Sequence, residues 1–408
     1  MGRCTHRDGR AGAHVSRRRR RRPRGAGGPA APTCRRNVRE SRSDAVNAPA
    51  DVHVVSSDVR QDRLLRHLGA FSGTVRTSGS AEEAAAFDYA EQVLRDLGYE
   101  VRRLEHDGYV SMPGEASLLV GDQPVACITH AMAAPTRNLR APLAWAEDVD
   151  VVGCVAVSYG LARPGAVQDL ADRGAVGAVF INAAQRYEMV VSPVWGSPDA
   201  ARLGEVSRIP VVSVAADVEP LLTAALAERA PATLRTEVRT GWRTLPLLEG
   251  TLVAQDGDGS SILFSGHVDA WHLGAMDNGG ANATMLEVAT VLAAHRDTLK
   301  RDLKIVFWSG HSHGRYAGSQ WYADHHAEEL RERVLLHVNI DSVGGIGADD
   351  LTQAPCMPET FALAERVIGE ETGQRYEGVR FERAGDQSFW GHGVSSVLMG
   401  LSEQPSSD

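Results

Sequence analysis

The chain has 408 residues, 43% of them hydrophobic and 23% charged, a composition of soluble globular proteins with room for two or three domains. Its net charge of −9 argues against nucleic acid as a partner of the folded part, and with no apolar run of about 18 residues no membrane span is expected. The five cysteines (Cys4, Cys34, Cys127, Cys154, Cys356) include no C-x-x-C pair, which argues against a disulfide framework or a thiolate metal site.

Residues 1–50 carry six consecutive arginines, Arg17 to Arg22, amid Gly, Pro and Ala. Such a tract cannot bury a core. It reads as a disordered basic segment, or as translation from a start upstream of the true one, with Val46 as a candidate first residue; a basic arm for phosphates is the alternative. No apolar h-region follows the arginines, so a cytoplasmic location is the default expectation, with secretion left open. Residues 51–114 read as the first part of an α/β domain. Helices are expected at 58–72 and 81–97. In the second, Ser80 is the expected N-cap, and Ala86, Tyr89, Ala90, Val93 and Leu94 follow helical spacing before Gly98. A strand follows at Tyr99–Leu104.

Between 115 and 245 the texture changes to short apolar strands separated by Gly-rich turns, at Ala116–Val120, Val151–Ser158, Val176–Ile181 and Ile209–Val214, with one helix at Ala166–Arg173. This reads as an inserted β-rich module. From 246 to 408 strands and helices alternate. Strands are expected at Ser261–Ser265, Lys304–Trp308, Val334–Ile340 and Val394–Met399, and helices at Gly280–Ala294, Ser319–Arg331 and Pro358–Glu371. The alternation predicts a mixed, largely parallel sheet between helices, with reactive groups at the strand carboxyl ends. The chain ends shortly after a late strand, and a C-terminal truncation is expected.

Two segments carry the chemistry: FSGHVDAWHLGAMDNGG at 264–280 and HVNIDSVGG at 337–345. They place His267, Asp277 and Asp341 at the ends of apolar strands, and one imidazole with two carboxylates is a usual ligand set for a zinc-type divalent ion. H-x-D alone is a weak signal. H-x-D, then D-N after a short Gly-containing loop, then N-x-D at the end of an apolar strand, is a strong one. Together with GDQSFWGHGVSSVLM at 385–399, these motifs resemble the co-catalytic zinc exopeptidase family that includes aminopeptidase Y, bacterial leucyl aminopeptidases and glutamate carboxypeptidase II.

The resemblance covers residues 60–401 and implies a three-layer α/β fold with residues 115–245 as an inserted protease-associated domain. It implies that His267 and Asp341 bind a first zinc ion, that Asp277 bridges two ions, and that Asp269 orients the His267 imidazole. It also implies a peptide or small amide substrate. The pattern then breaks. The family carries a Glu-Glu pair, base and second-metal ligand, where this chain has His311-Ser312-His313, with no carboxylate between Asp302 and Asp324. The family's late His has no counterpart, and His392 before Gly393 reads as a turn residue rather than its replacement.

Two readings of the loop compete. In one, His313 replaces the lost ligand and His311 the base, since imidazole binds zinc and takes a proton near neutral pH; Arg315 is then a candidate clamp for a substrate carboxylate and Asp386 a further substrate-binding candidate. In the other, the loop has lost its catalytic role. Accordingly a metal-dependent hydrolase holding one or two zinc ions is weighed against a non-catalytic binding protein on the same scaffold, and a one-zinc acyl-transfer enzyme like the glutaminyl cyclases ranks last.

Overall fold

The structure, a computed structural model, describes residues 55–206, 208–378 and 387–399. The basic segment 1–50, Asp386 and residues 400–408 lie outside the described residues.

Helix α1 (Gln61–Ser72) buries His67 and Phe71. Helix α2 (Ala81–Asp96) begins where Ser80 Oγ accepts the Glu83 amide at 3.1 Å, and it buries Ala86, Phe87, Ala90 and Leu94 along one face. Gly98, left-handed at φ 80°, hands the chain to the sheet. The strand expected over 99–104 is far longer. Strand β1 (Glu100–Val120) pairs antiparallel along nearly its whole length with β8 (Pro231–Leu252), from Glu100↔Thr251 to Val120↔Ala232. Gly108, Pro113 and Gly114 punctuate this stretch like turn residues. The ladder instead absorbs them, with a register shift between Pro113 and Ala116.

Between these two strands in sequence lie β2 (Gln123–Val125), β3 (Ile128–Thr129), β4 (Thr136–Trp145), β5 (Val155–Tyr159), helix α3 (Pro164–Asp172), β6 (Gly177–Ile181), β7 (Val211–Val214) and helix α4 (Glu219–Ala227). Strands β4, β5, β6 and β7 pair in parallel in that order. They enclose cores of their own, one around Leu143, Val157, Val179 and Leu234 and one around Ala156, Leu170, Phe180 and Val211.

The remaining elements are β9 (Ser261–His267), α5 (Ala281–Ala294), β10 (Asp302–Trp308), α6 (Ala317–His325), α7 (Ala327–Arg333), β11 (Val334–Ile340), α8 (Phe361–Thr372) and β12 (Ser396–Met399). The single helix expected over 319–331 is broken at His326 (φ −112°, ψ 18°), whose ring stacks on Tyr322. The sheet runs β12-β11-β9-β10-β8-β4-β5-β6-β7-β3. β9 to β12 are mutually parallel, and β8 is antiparallel to β10. It is a mixed α/β sheet, as expected.

Strand alternation builds the layers. Leu303, Ile305 and Phe307 of β10 pack with Phe71, Phe87, Leu94, Met285 and Leu286 from α1, α2 and α5. Val306 and Trp308 face the other way, toward Tyr322, Leu330 and Phe389. No described helix is long and apolar enough to cross a membrane. Phe87 is fully buried in the first of these layers, so Phe87→Ala is expected to cost about 3–5 kcal/mol, read as a lower urea midpoint with an unchanged slope.

Candidate metal centre

Strand β9 ends at His267 and β11 one residue before Asp341. In the β10–β9 register Trp308 lies opposite His267, so β10 delivers the His311-Ser312-His313 loop to the same carboxyl edge of the sheet.

His267 is 2% exposed. Its Nδ1 lies 2.8 Å from the Asp269 carbonyl oxygen, which accepts that ring proton and directs Nε2 at the carboxylates. That Nε2 lies 3.1 Å from Asp277 Oδ1 and 3.3 Å from Asp341 Oδ1. The His311 ring stacks on His267 at 3.7 Å and 8°, and its Nε2 is 3.8 Å from Asp341 Oδ2. One ligand atom from each of His267, His311 and Asp341 falls within 4.8 Å of the others. Four ligand atoms around a tetrahedral zinc with bonds of about 2.0–2.1 Å stand about 3.4 Å from one another, so these separations fit such an ion. Both ring nitrogens of His311 are buried with no hydrogen-bond partner among the described residues. Buried polar groups of this kind normally have one, and a metal ion would supply it.

Electrostatics agree. Burial pulls His267 down, but the carboxylates, Asp341 first, win and hold its pKa well above the ordinary histidine value. Burial and the adjacent His267 charge lower His311 to about 4, so its imidazole is neutral and available as a ligand. Burial raises Asp341, yet His267 outweighs it and brings it to about 2.

His313 is placed elsewhere. Its Nδ1 lies 3.2 Å from Ser78 Oγ and 3.7 Å from Asp269 Oδ2, and its ring lies 4.5 Å from that of Trp271. Asp269 is fully buried and accepts Ser78 Oγ at 2.6 Å, the Ser312 amide at 2.8 Å and the His311 amide at 3.2 Å. Burial would raise its pKa; hydrogen bonds from His267 and His313 hold it well below the carboxylate range. The Arg315 guanidinium lies 4.9 Å from the Trp195 ring and 5.3 Å from that of Tyr316. The structure thus brings together His267, Asp277, Asp341 and His311, with Asp269 behind them, and sets His313 and Arg315 beside this group.

Several further residues hold these ligand loops, of which only Asn278 belongs to a motif read from the sequence. Asn278 bridges the two ligand loops: its Nδ2 donates to Ile340 O at 3.2 Å and its Oδ1 accepts the Ser342 amide at 3.0 Å. Asn282 Nδ2 donates to His267 O at 2.9 Å. Arg76, fully buried, donates from Nε to Val268 O at 2.9 Å and from Nη1 to Leu273 O at 2.8 Å and to Phe71 O, while Nη2 reaches Gly274 O at 3.2 Å. Glu83, also fully buried, accepts the Gly79 amide at 2.6 Å and Ser309 Oγ at 2.9 Å. The available signal was the polar run Arg76-Thr77-Ser78-Gly79-Ser80 directly before a capped helix.

Residues 250–387 match the model of Peptidase family M28. This M28 segment holds His267, Asp277, His311 and Asp341. Two relatives match over shorter stretches: Probable glutamate carboxypeptidase VP8 of Zea mays, 26% identical over 102 residues, and Carboxypeptidase Q of Xenopus laevis, 35% identical over 88. These matches cover 24% and 21% of this chain, and only 14% and 18% of the relatives' own length. In fold the likeness extends much further. An aminopeptidase from Aneurinibacillus sp. strain AM-1 superposes with a TM-score of 0.65 at 19% identity, over 86% of this chain and 87% of that one. A zinc aminopeptidase from Bacillus subtilis gives 0.60 at 21%, over 85% and 86%. The resemblance to the zinc exopeptidases therefore stands in sequence over the M28 segment and in fold over most of the chain.

Arg76→Met would leave the carbonyls of Val268 and Leu273 without the donors that Arg76 supplies, at an expected cost of about 3–5 kcal/mol. Arg76→Lys should not rescue it, since one ammonium cannot span the fork. Urea denaturation of both variants checks this.

Proposed function

We propose that the protein is a zinc-type metal-dependent hydrolase of peptide or amide bonds, acting at chain ends. The observation that carries this reading is the His311 imidazole, stacked against His267 beside Asp341, whose two buried ring nitrogens have no hydrogen-bond partner among the described residues. The family match and the aminopeptidase and carboxypeptidase names of the relatives support it.

In this reading His267, Asp341 and His311 hold an ion and Asp277 either completes its shell or bridges to a second. A bound zinc-type ion supplies Lewis acidity and lowers the pKa of a water to about 7. His313 then takes the proton-handling role. Its Nδ1 is engaged by Ser78 and Asp269, which orients the ring and leaves Nε2 to accept a proton. Asp269 stays ionised and stabilises the imidazolium that forms. The β-rich segment 115–245 acts as a wall of the site, because Trp195 stacks on Tyr316 at 3.9 Å and Tyr316 abuts His311 at 4.4 Å.

The loop's lack of a carboxylate favours a second reading, a non-catalytic binding protein on this scaffold. Metal stoichiometry by plasma mass spectrometry, with hydrolysis of aminoacyl-nitroanilides and blocked dipeptides in the presence and absence of chelator, separates the two. Chelator-sensitive turnover supports the hydrolase; no bound metal and no turnover sink it.

Within the hydrolase reading, His311→Ala is expected to lower metal content. His313→Ala should keep the metal and lose about 10²–10⁴ in kcat. Full metal content in His311→Ala would remove it from the ligand set.

Metal affinity should also depend on pH. The ion needs His267 neutral, whereas the metal-free protein holds it protonated to well above its usual pKa. Binding therefore releases a proton, and affinity should fall about tenfold per pH unit as pH drops below that raised pKa. Zinc titrations against a competing chelator from pH 6 to 8 check the slope.

A further inference from the structure

Beside the metal centre lies a cleft whose walls include His313, Trp271, Met112, Glu188, Arg239 and Arg243. Arg239 and Arg243 stand four residues apart on β8, so both project from one face of the strand, with their Cα atoms about 13 Å apart. Both are exposed, and among the described residues neither has an ion-pair partner. Other strand and loop arginines do: Arg102 pairs with Glu249 and Arg235 with Glu237. The one acid in the wall, Glu188, is 3.0 Å from His272 Nε2. Two arginines against this one carboxylate leave the cleft wall net positive. Trp271 and Met112 supply apolar surface beside it, and the chain as a whole is acidic, so two unpaired arginines on one cleft wall are a local departure from its charge. The cleft also reaches the metal centre through named contacts, since His313 packs against Trp271 and Asp269, and the Asp269 carbonyl takes the His267 ring proton.

We infer that this cleft is a substrate subsite for a peptide carboxylate, with Arg239 and Arg243 as specificity residues and Trp271 as the apolar wall. The inference rests on the peptide-hydrolase reading for its substrate class but not for its test. Arginine is the side chain suited to carboxylates. The carboxylate is either an acidic side chain or the free chain end, and the probes distinguish the two.

The experiment measures binding of Gly-Glu, Gly-Gln and Gly-Gln amide by calorimetry. It uses the full chain stripped of metal, where no metal-assisted turnover consumes the probe, and repeats the titrations on the zinc-loaded chain. Gly-Glu is expected to bind about ten- to a hundredfold tighter than Gly-Gln amide, the range of one charge-assisted contact. Gly-Gln binding like Gly-Glu assigns the subsite to the chain-end carboxylate; Gly-Gln binding like the amide assigns it to the side chain. Arg239→Gln and Arg243→Gln should each weaken Gly-Glu about tenfold, leave the amide unchanged, and keep the melting temperature and zinc content of the parent. Equal affinity for all three probes, or arginine variants that bind Gly-Glu like the parent, would overturn the subsite. A carboxylate preference without any chelator-sensitive hydrolysis would leave the subsite standing and remove the hydrolase reading alone.

Discussion

The loop between His267 and Asp277 is pinned by one buried guanidinium. The stretch from His267 to Asp277 leaves β9 and runs without a ladder before α5, so its carbonyls need donors from elsewhere. Arg76 supplies them, to Val268, Leu273 and Gly274, while also donating to Phe71 and Thr74 at the end of α1. A planar fork with five donors can satisfy several divergent carbonyls at once. Its charge matters too. Burial lowers the Arg76 pKa, while Asp269 and Asp277 push it back up. The guanidinium is thus held between the desolvation cost of its own charge and the attraction of the two carboxylates that its hydrogen bonds help to place.

The same balance explains Glu83. It is buried near Asp269, and burial together with that carboxylate raises its pKa well above the usual range. A neutral carboxyl can tie the Gly79 amide at the start of α2 to Ser309 at the end of β10 without adding a further negative charge. Asp269, by contrast, sits among donors from His311, Ser312 and Ser78 and stays ionised. Two carboxyl groups close enough to influence each other are pushed in opposite pKa directions by their surroundings.

Much of this was legible in the sequence. The strand-end positions of His267 and Asp341 followed from apolar runs stopping at polar residues, and the Ser80 cap from its place before Glu82 and Glu83; Asp277, expected at a strand end, instead lies ten residues beyond β9 in the turn that leads into α5. The long β1–β8 ribbon was not legible, because Asp107-Gly108 and Pro113-Gly114 are turn residues by local preference and only a partner strand keeps them extended. Arg76 was not legible either. An arginine whose partners are backbone carbonyls leaves no complementary acid in the sequence to reveal it. The different surroundings of His311 and His313 follow from the turn over residues 312–315, in which residues i and i+2 no longer share a side as they would in an extended segment; Arg315 and Tyr316 at its end both adopt positive φ (52° and 69°).

That path is braced from the inserted segment. Gly196 N donates to Arg315 O at 2.7 Å, Trp195 stacks on Tyr316, and Trp195 Nε1 donates to Ser388 Oγ at 3.1 Å. Ser197 Oγ accepts the Tyr109 amide at 3.0 Å on β1. A Cβ on Gly196 would come within 2.8 Å of Gln320, so the two segments meet with little room between them. The strained turn at Arg315 and Tyr316 costs free energy that a loop in solvent would relax. Here the Trp195 contact and the Gly196 hydrogen bond oppose that relaxation, and Tyr316 passes the restraint to His311 through edge-to-face contact at 4.4 Å. The loop that lacks the expected carboxylates is therefore held by residues more than a hundred positions away in sequence, and its shape follows from Trp195 and Gly196 as much as from its own three residues.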